Sequence, residues 1–132
     1  MNLTDDELAV KLAPLLWDIK ESRIEHLNWN NQLVGVGTTY QPGRYYCRPH
    51  PLVAQGMLDV IKAMQRLGWW CQLRSPFTAD NLKWSAGFTP LSWTGWNGSP
   101  DHKAKHERPE RAVAEAALKA LESEARLELN QK

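Results

Sequence analysis

At Gly68 the spacing of apolar residues changes from about 3.6 to about 2, and that switch limits the chain to folds joining a helix directly to a strand. Before it, Val53, Met57, Val60, Ile61, Met64 and Leu67 fall on one stripe of a helix over 51–67. After it, Trp69, Cys71 and Leu73 alternate with Trp70, Gln72 and Arg74, the pattern of a strand with one buried face. Pro51 suits a first helical position because its missing N–H would have no partner there, and Gly68 suits the left-handed stop that ends a helix.

The flanking segments repeat both periods. Thr4-Asp5-Asp6-Glu7 has the spacing of a capping box, and Leu8, Leu12, Leu15, Leu16 and Ile19 follow at helical intervals. Pro14 removes a backbone donor, so a helix over 5–13 is expected, resuming with a kink toward residue 20. Residues 23–29 and 32–40 read as two strands joined by a turn at Asn30-Asn31, with Gly35 and Gly37 marking a bulge or close approach. Gln41-Pro42-Gly43-Arg44 is a turn. A strand over 83–89, with Trp84, Ala86 and Phe88 on one face, forms an antiparallel hairpin with 69–74. Residues 91–108 read as an irregular loop. A last helix starts near Pro109-Glu110 with Val113, Ala116, Ala117, Ala120 and Leu121 inside, and its end, 128–132, is expected to fray.

The order is thus α-β-β-α-β-β-α. An α+β single domain over 1–132 follows, with a mostly antiparallel four-stranded sheet sandwiched by helices that each bury one stripe. A chain of 132 residues can bury a core without staples. Sixteen Lys and Arg against fifteen Asp and Glu leave a formal charge of +1, too small an excess for a protein that coats nucleic acid; a local basic patch stays compatible. The start is acidic and polar, unlike a secretion signal, and no apolar run is long enough to span a membrane. Cys47 and Cys71 are therefore expected as reduced core or near-core thiols.

The opening Leu3-Thr4-Asp5-Asp6-Glu7-Leu8 helix, the helix from Pro51 to Leu67, the hairpin bearing Trp70 and Trp84, and Pro109-Glu110-Arg111-Ala112-Val113-Ala114 running into Ala116-Ala117-Leu118 together resemble the phage ABA-sandwich domain, a family of small tailed-phage and prophage proteins. The NinX-type proteins of lambdoid phages are a more distant likeness. The resemblance covers most of the chain as an order of elements, and departs from the family at the 93–106 insertion and at Pro14. It implies a phage or prophage origin and the cytoplasm of a bacterial host, and carries over no catalytic residues.

The most basic stretch holds Lys103, Lys105, Arg108 and Arg111, with Trp93 and Trp96 just upstream. Cations beside indole faces can hold a phosphate and stack a base; the alternative is a solvated charge run next to core tryptophans. A second candidate anion site combines Arg44, Arg48 and His50 at the start of the central helix, where free N–H groups attract anions. His102 and His106 have a spacing that would suit a zinc site on a helix, but Pro100 and Pro109 bracket them, so a solvated loop is expected and no metal. Gly35-Val36-Gly37 lacks the third glycine and the helix of a nucleotide loop. Among seven tryptophans, Trp17, Trp84 and one of Trp69 or Trp70 are expected in the core, leaving Trp29, Trp93 and Trp96 partly exposed for a partner.

No nucleophile, base and orienting acid share a signature, and no cofactor motif is present. The expected function is a non-enzymatic phage accessory protein that binds a host bacterial protein or a small nucleotide, as a counter-defence sponge or an anti-CRISPR-like inhibitor, with self-association left open. The rival is a small hydrolase or nuclease using His50, His102 or His106.

Overall fold

The computed structural model describes residues 2–17, 23–26, 33–41, 44–48, 50–76, 82–90 and 102–130, and for 23–48 and 125–130 the backbone alone. The elements are α1 (Asp5–Leu16), β1 (Arg23–His26), β2 (Leu33–Gln41), β3 (Arg44–Arg48), α2 (Ala54–Arg66), β4 (Trp69–Arg74), β5 (Trp84–Pro90), β6 (His102–His106) and α3 (Pro109–Asn130). The α+β class holds, but the four-stranded sheet and its element order do not. Among the described residues there are two antiparallel three-stranded sheets, β1-β2-β3 and β4-β5-β6.

The two unexpected strands have separate causes. β3 is the return leg of the turn at 41–44: Gln41 pairs with Arg44, and Thr39, Thr38, Gly37 and Val36 pair with Tyr45, Tyr46, Cys47 and Arg48. β6 reads His-Lys-Ala-Lys-His, whose single apolar residue gives no alternation to detect. Lysines on an edge strand are a common guard against stray pairing. Of the loop expected over 91–108, residues 102–106 are a strand, 107–108 lead into α3, and 91–101 lie outside the described residues, as do Trp29, Trp93, Trp96, the turn at 30–31 and residues 131–132.

α1 begins with the expected capping box. Thr4 Oγ1 accepts from the Glu7 N–H at 3.1 Å, and the Thr4 N–H donates back to Glu7 Oε1 at 3.3 Å. Pro14 does not end it: the helix runs two residues further, to Leu16, and the Trp17 N–H closes on the Ala13 carbonyl at 3.0 Å. α2 starts three residues later than Pro51 suggests. Pro51-Leu52-Val53 form a turn in which the Val53 N–H reaches the His50 carbonyl at 3.1 Å. Its stripe centres on Gly56, Val60, Ala63 and Met64, while Val53 and Leu67 are exposed. Gly68, at φ 95°, makes the expected stop. The bulge expected near Gly35 is present as a register shift between Glu25 and His26.

α3 is the hub. It packs on β5, β6, α1 and α2, while α2 covers β4. Ala112, Val113, Ala114, Ala116, Ala117, Leu118, Ala120 and Leu121 are all buried, so apolar residues run nearly around the helix, wider than the single face expected. Helical backbone continues through Asn130, past the expected start of fraying at 128. Asp5 pairs with Arg111 and Lys11 with Glu122, so α1 and α3 run in the same direction with their N-terminal ends together. The first sheet meets this body chiefly through α1.

Candidate functional site

The cations singled out in the sequence divide between two places. Arg108 and Arg111 turn into a corner where the starts of all three helices meet. Arg108 Nη1 pairs with Asp5 Oδ2, and its Nη2 donates to the Leu52 carbonyl at 3.1 Å. Arg111 donates from Nη1 to Asp5 Oδ1 at 2.9 Å, from Nε to Glu115 Oε1 at 2.9 Å and from Nη2 to the Leu3 carbonyl at 2.6 Å. Three helix starts and two guanidiniums would make this corner strongly positive. The chain supplies the anions itself, from Asp5, Asp6 and Glu115. Arg108 and Arg111 are thus structural, which corrects their expected place in a nucleotide site.

The corner also claims His50. Its ring is 2% exposed; Nδ1 accepts from the Leu52 N–H at 3.1 Å, so Nε2 carries the proton and donates to Asp6 Oδ1 at 3.1 Å. A side chain so placed cannot embrace an external phosphate, and the expected Arg44–Arg48–His50 site loses its third member. Arg44 and Arg48 lie at the two ends of β3, and their side chains fall outside the described residues.

Asp5 carries the pH response of this corner. Partial burial pushes its carboxyl up, but hydrogen bonds and the charges of Arg108 and Arg111 together outweigh that and hold it below the ordinary 3.8. Desolvation likewise opposes the charge on Arg111, and Glu115 and Asp5 overcome it, raising its pKa. A carboxyl lowered in the folded state stabilises it fully above its unfolded pKa and loses that contribution as pH falls through the folded value. Urea midpoints followed by circular dichroism are expected to fall below about pH 4, and Asp5→Asn is expected to flatten that acid limb.

The other place is the second sheet. Residues 102, 104 and 106 face α3: Ala104 is buried, His102 meets Trp69 edge-on with centroids 5.6 Å apart, and His106 Nδ1 accepts from the Arg108 N–H at 3.0 Å. Lys103 and Lys105 therefore point to the opposite face and are exposed. Register places Arg74, Ser85 and Lys105 in one row of that face, and Gln72, Gly87 and Lys103 in the next. Trp70 lies beside Thr89 in the third and is 62% exposed. No residue of β4, β5 or β6 is acidic; Asp101 and Glu107 flank β6 in sequence. Among the described residues, the exposed Lys103 and Lys105 thus share this face with the exposed indole of Trp70.

Trp17 and Trp69 are buried and Trp84 half-buried, as expected; Trp70 is the outward member of its pair. Burial pushes the Cys71 thiol up to about 11, so it is protonated and unreactive at neutral pH. Four residues along a strand separate His102 from His106 by about 13 Å, too far to share a metal, and no cluster of three metal-binding side chains occurs among the described residues. The two also differ in work from buried His50, so the three histidines of the hydrolase reading do not converge. Among the described residues, no helix is long and apolar enough to cross a membrane.

No protein-family model matches the chain, and neither a curated protein nor a solved structure matches it.

Proposed function

We propose that this chain is a non-enzymatic binding protein whose ligand is of the nucleotide class, a flat base joined to phosphate, held on the outer face of the second sheet. The observation that carries this reading is that Lys103 and Lys105, both exposed, share one face of the second sheet with the exposed ring of Trp70. Cations attract phosphate and an indole face stacks a base without regard to its identity. The phage-family resemblance supplies the setting: an accessory protein of the bacterial cytoplasm whose binding blunts a host defence.

A thermal-shift panel of mono-, di- and cyclic nucleotides tests it. A ligand at about a hundredfold excess over its Kd adds about 2.7 kcal/mol to the folded state, which reads as a clear rise in Tm. Lys103→Glu combined with Lys105→Glu is expected to abolish that rise while leaving the unliganded Tm within about 2 °C, since both side chains are exposed. Arg108→Gln is expected to lower the unliganded Tm and keep the rise. A panel with no response from the wild-type chain would remove the nucleotide reading and leave a protein partner.

A further inference from the structure

The second sheet is narrower than the helices that cover it. Neighbouring helices pack about 8–10 Å apart, or about two strand spacings of 4.8 Å. α3 lies over β5 and β6, and its neighbour α2 meets the sheet chiefly at β4. α2 is therefore centred at or just beyond the outer side of β4, where the sheet ends among the described residues. Burial records this overhang. Ala86, Phe88 and Ala104, on the inner face of β5 and β6, are buried, whereas Cys71 and Leu73, on the same face of β4, are only half-buried. Met57 and Ile61 of α2, one helical turn apart, also pack on the core and stay half-buried. The two edges of the sheet differ as well. β6 carries Lys103 and Lys105, and its Lys103 carbonyl accepts from Lys119 Nζ at 2.9 Å. β4 holds no proline, acid or lysine, and its charge is confined to Arg74 at its end, so it lacks the guards that keep an edge from pairing.

We propose that the outer edge of β4 takes an extended segment of a partner polypeptide as a fourth strand, its apolar side chains at alternate positions turned under α2. The backbone of that segment pairs with the N–H and C=O groups of β4 that turn away from β5. Its inward side chains complete the apolar layer now bordered by Cys71, Leu73, Met57 and Ile61, and its outward ones, beside exposed Trp70 and Gln72, are polar. The width of the gap selects this occupant over a second copy. Two copies paired through β4 would bring their α2 helices within about 5 Å of each other, closer than helix packing permits. One lone strand fits. The site is distinct from the outer face that carries Lys103 and Lys105, and stands whether or not that face binds a nucleotide.

Fluorescence anisotropy of a labelled peptide of about eight residues alternating Val and Thr tests the proposal. Two controls accompany it: a block peptide of the same composition, and the alternating peptide N-methylated throughout, which keeps the side chains and loses every backbone donor. The alternating peptide is expected to bind, and each control to bind about tenfold more weakly or worse, the loss of two or more backbone hydrogen bonds. Hydrogen exchange at alternate amides of residues 69–74 is expected to be fast in the free chain and slowed by the alternating peptide. Leu73→Lys, an inward charge at the edge, is expected to abolish binding; if that variant does not fold, exchange in the wild-type chain decides. Lys103→Glu with Lys105→Glu is expected to bind the peptide as the wild type does while losing its nucleotide response. Binding by none of the peptides, equal binding by either control, or binding without slowed exchange at 69–74 would overturn the proposal. Slow exchange at every one of those amides in the free chain would also overturn it, since the edge would already be filled. Weaker peptide binding in the double lysine variant would move the contact to the outer face and overturn the edge site.

Discussion

Gly56→Ala is expected to destabilise the protein by about 3 kcal/mol, against the sign that helix propensity alone predicts. Alanine in a helix interior is favoured over glycine by about 1 kcal/mol, so the substitution would ordinarily stabilise α2. Here a methyl built on Gly56 would overlap the backbone carbonyl of His50 and lie 2.9 Å from the Pro51 Cα. The obstacle is backbone, and it cannot retreat easily. His50 is held by its ring bonds to Asp6 and the Leu52 N–H, and its carbonyl by the Val53 N–H. Forcing extra volume into such a site costs about 1–3 kcal/mol or more, and the upper end applies where the neighbour is pinned. For a domain of this size that is a fall of roughly 12 °C in Tm. Gly68→Ala makes the contrast. Nothing lies within 4 Å of its added methyl, yet its φ of 95° strains an L residue, so a loss of only about 1–2 kcal/mol is expected. Thermal melts of the two variants that reversed this ranking would show that the His50–Pro51 segment yields.

That packing also explains what could be read in the sequence and what could not. The α1 cap, the α2 stop at Gly68 and the β4–β5 hairpin were legible because each is fixed by residues within a few positions of one another: Thr4 with Glu7, Leu67 with Gly68, Trp69 against Trp70. β6 was not, because an edge strand carrying Lys103 and Lys105 shows neither alternation nor an apolar run. Missing it hid the candidate surface. The outward set Trp70, Gln72 and Arg74 was visible in the alternation, and so were the lysines, but only the β5–β6 register puts them on one face. Arg108 and Arg111 misled in the opposite direction. As sequence they extend a basic run; their partner Asp5 lies more than a hundred residues away, and nothing local announces it. The Arg111–Glu115 pair, at a spacing of four, was the one readable hint that these side chains were already engaged.

Arg111→Leu is expected to cost about 3–5 kcal/mol, the range for removing one partner of a buried ion pair. The guanidinium is 7% exposed, and Glu115, at 12%, loses its partner and keeps its charge in a site with little water. The Leu3 carbonyl loses its 2.6 Å donor as well. Asp5 suffers least, since Arg108 still faces it. The penalty is thus concentrated in the stranded carboxylate, and that gives the test its second half. Arg111→Leu with Glu115→Leu removes both charges and fills the space with apolar atoms, an exchange that is often neutral in buried pairs. The double variant is expected to recover more than half of the single variant's loss in urea unfolding. If it recovers none, the cost lies in the bonds to Asp5 and Leu3, and Arg111 acts as the tie between α1 and α3. In either case the response of the folded molecules to nucleotides should not change, because Arg111 sits on α3, which packs against the face of the second sheet opposite Lys103, Lys105 and Trp70.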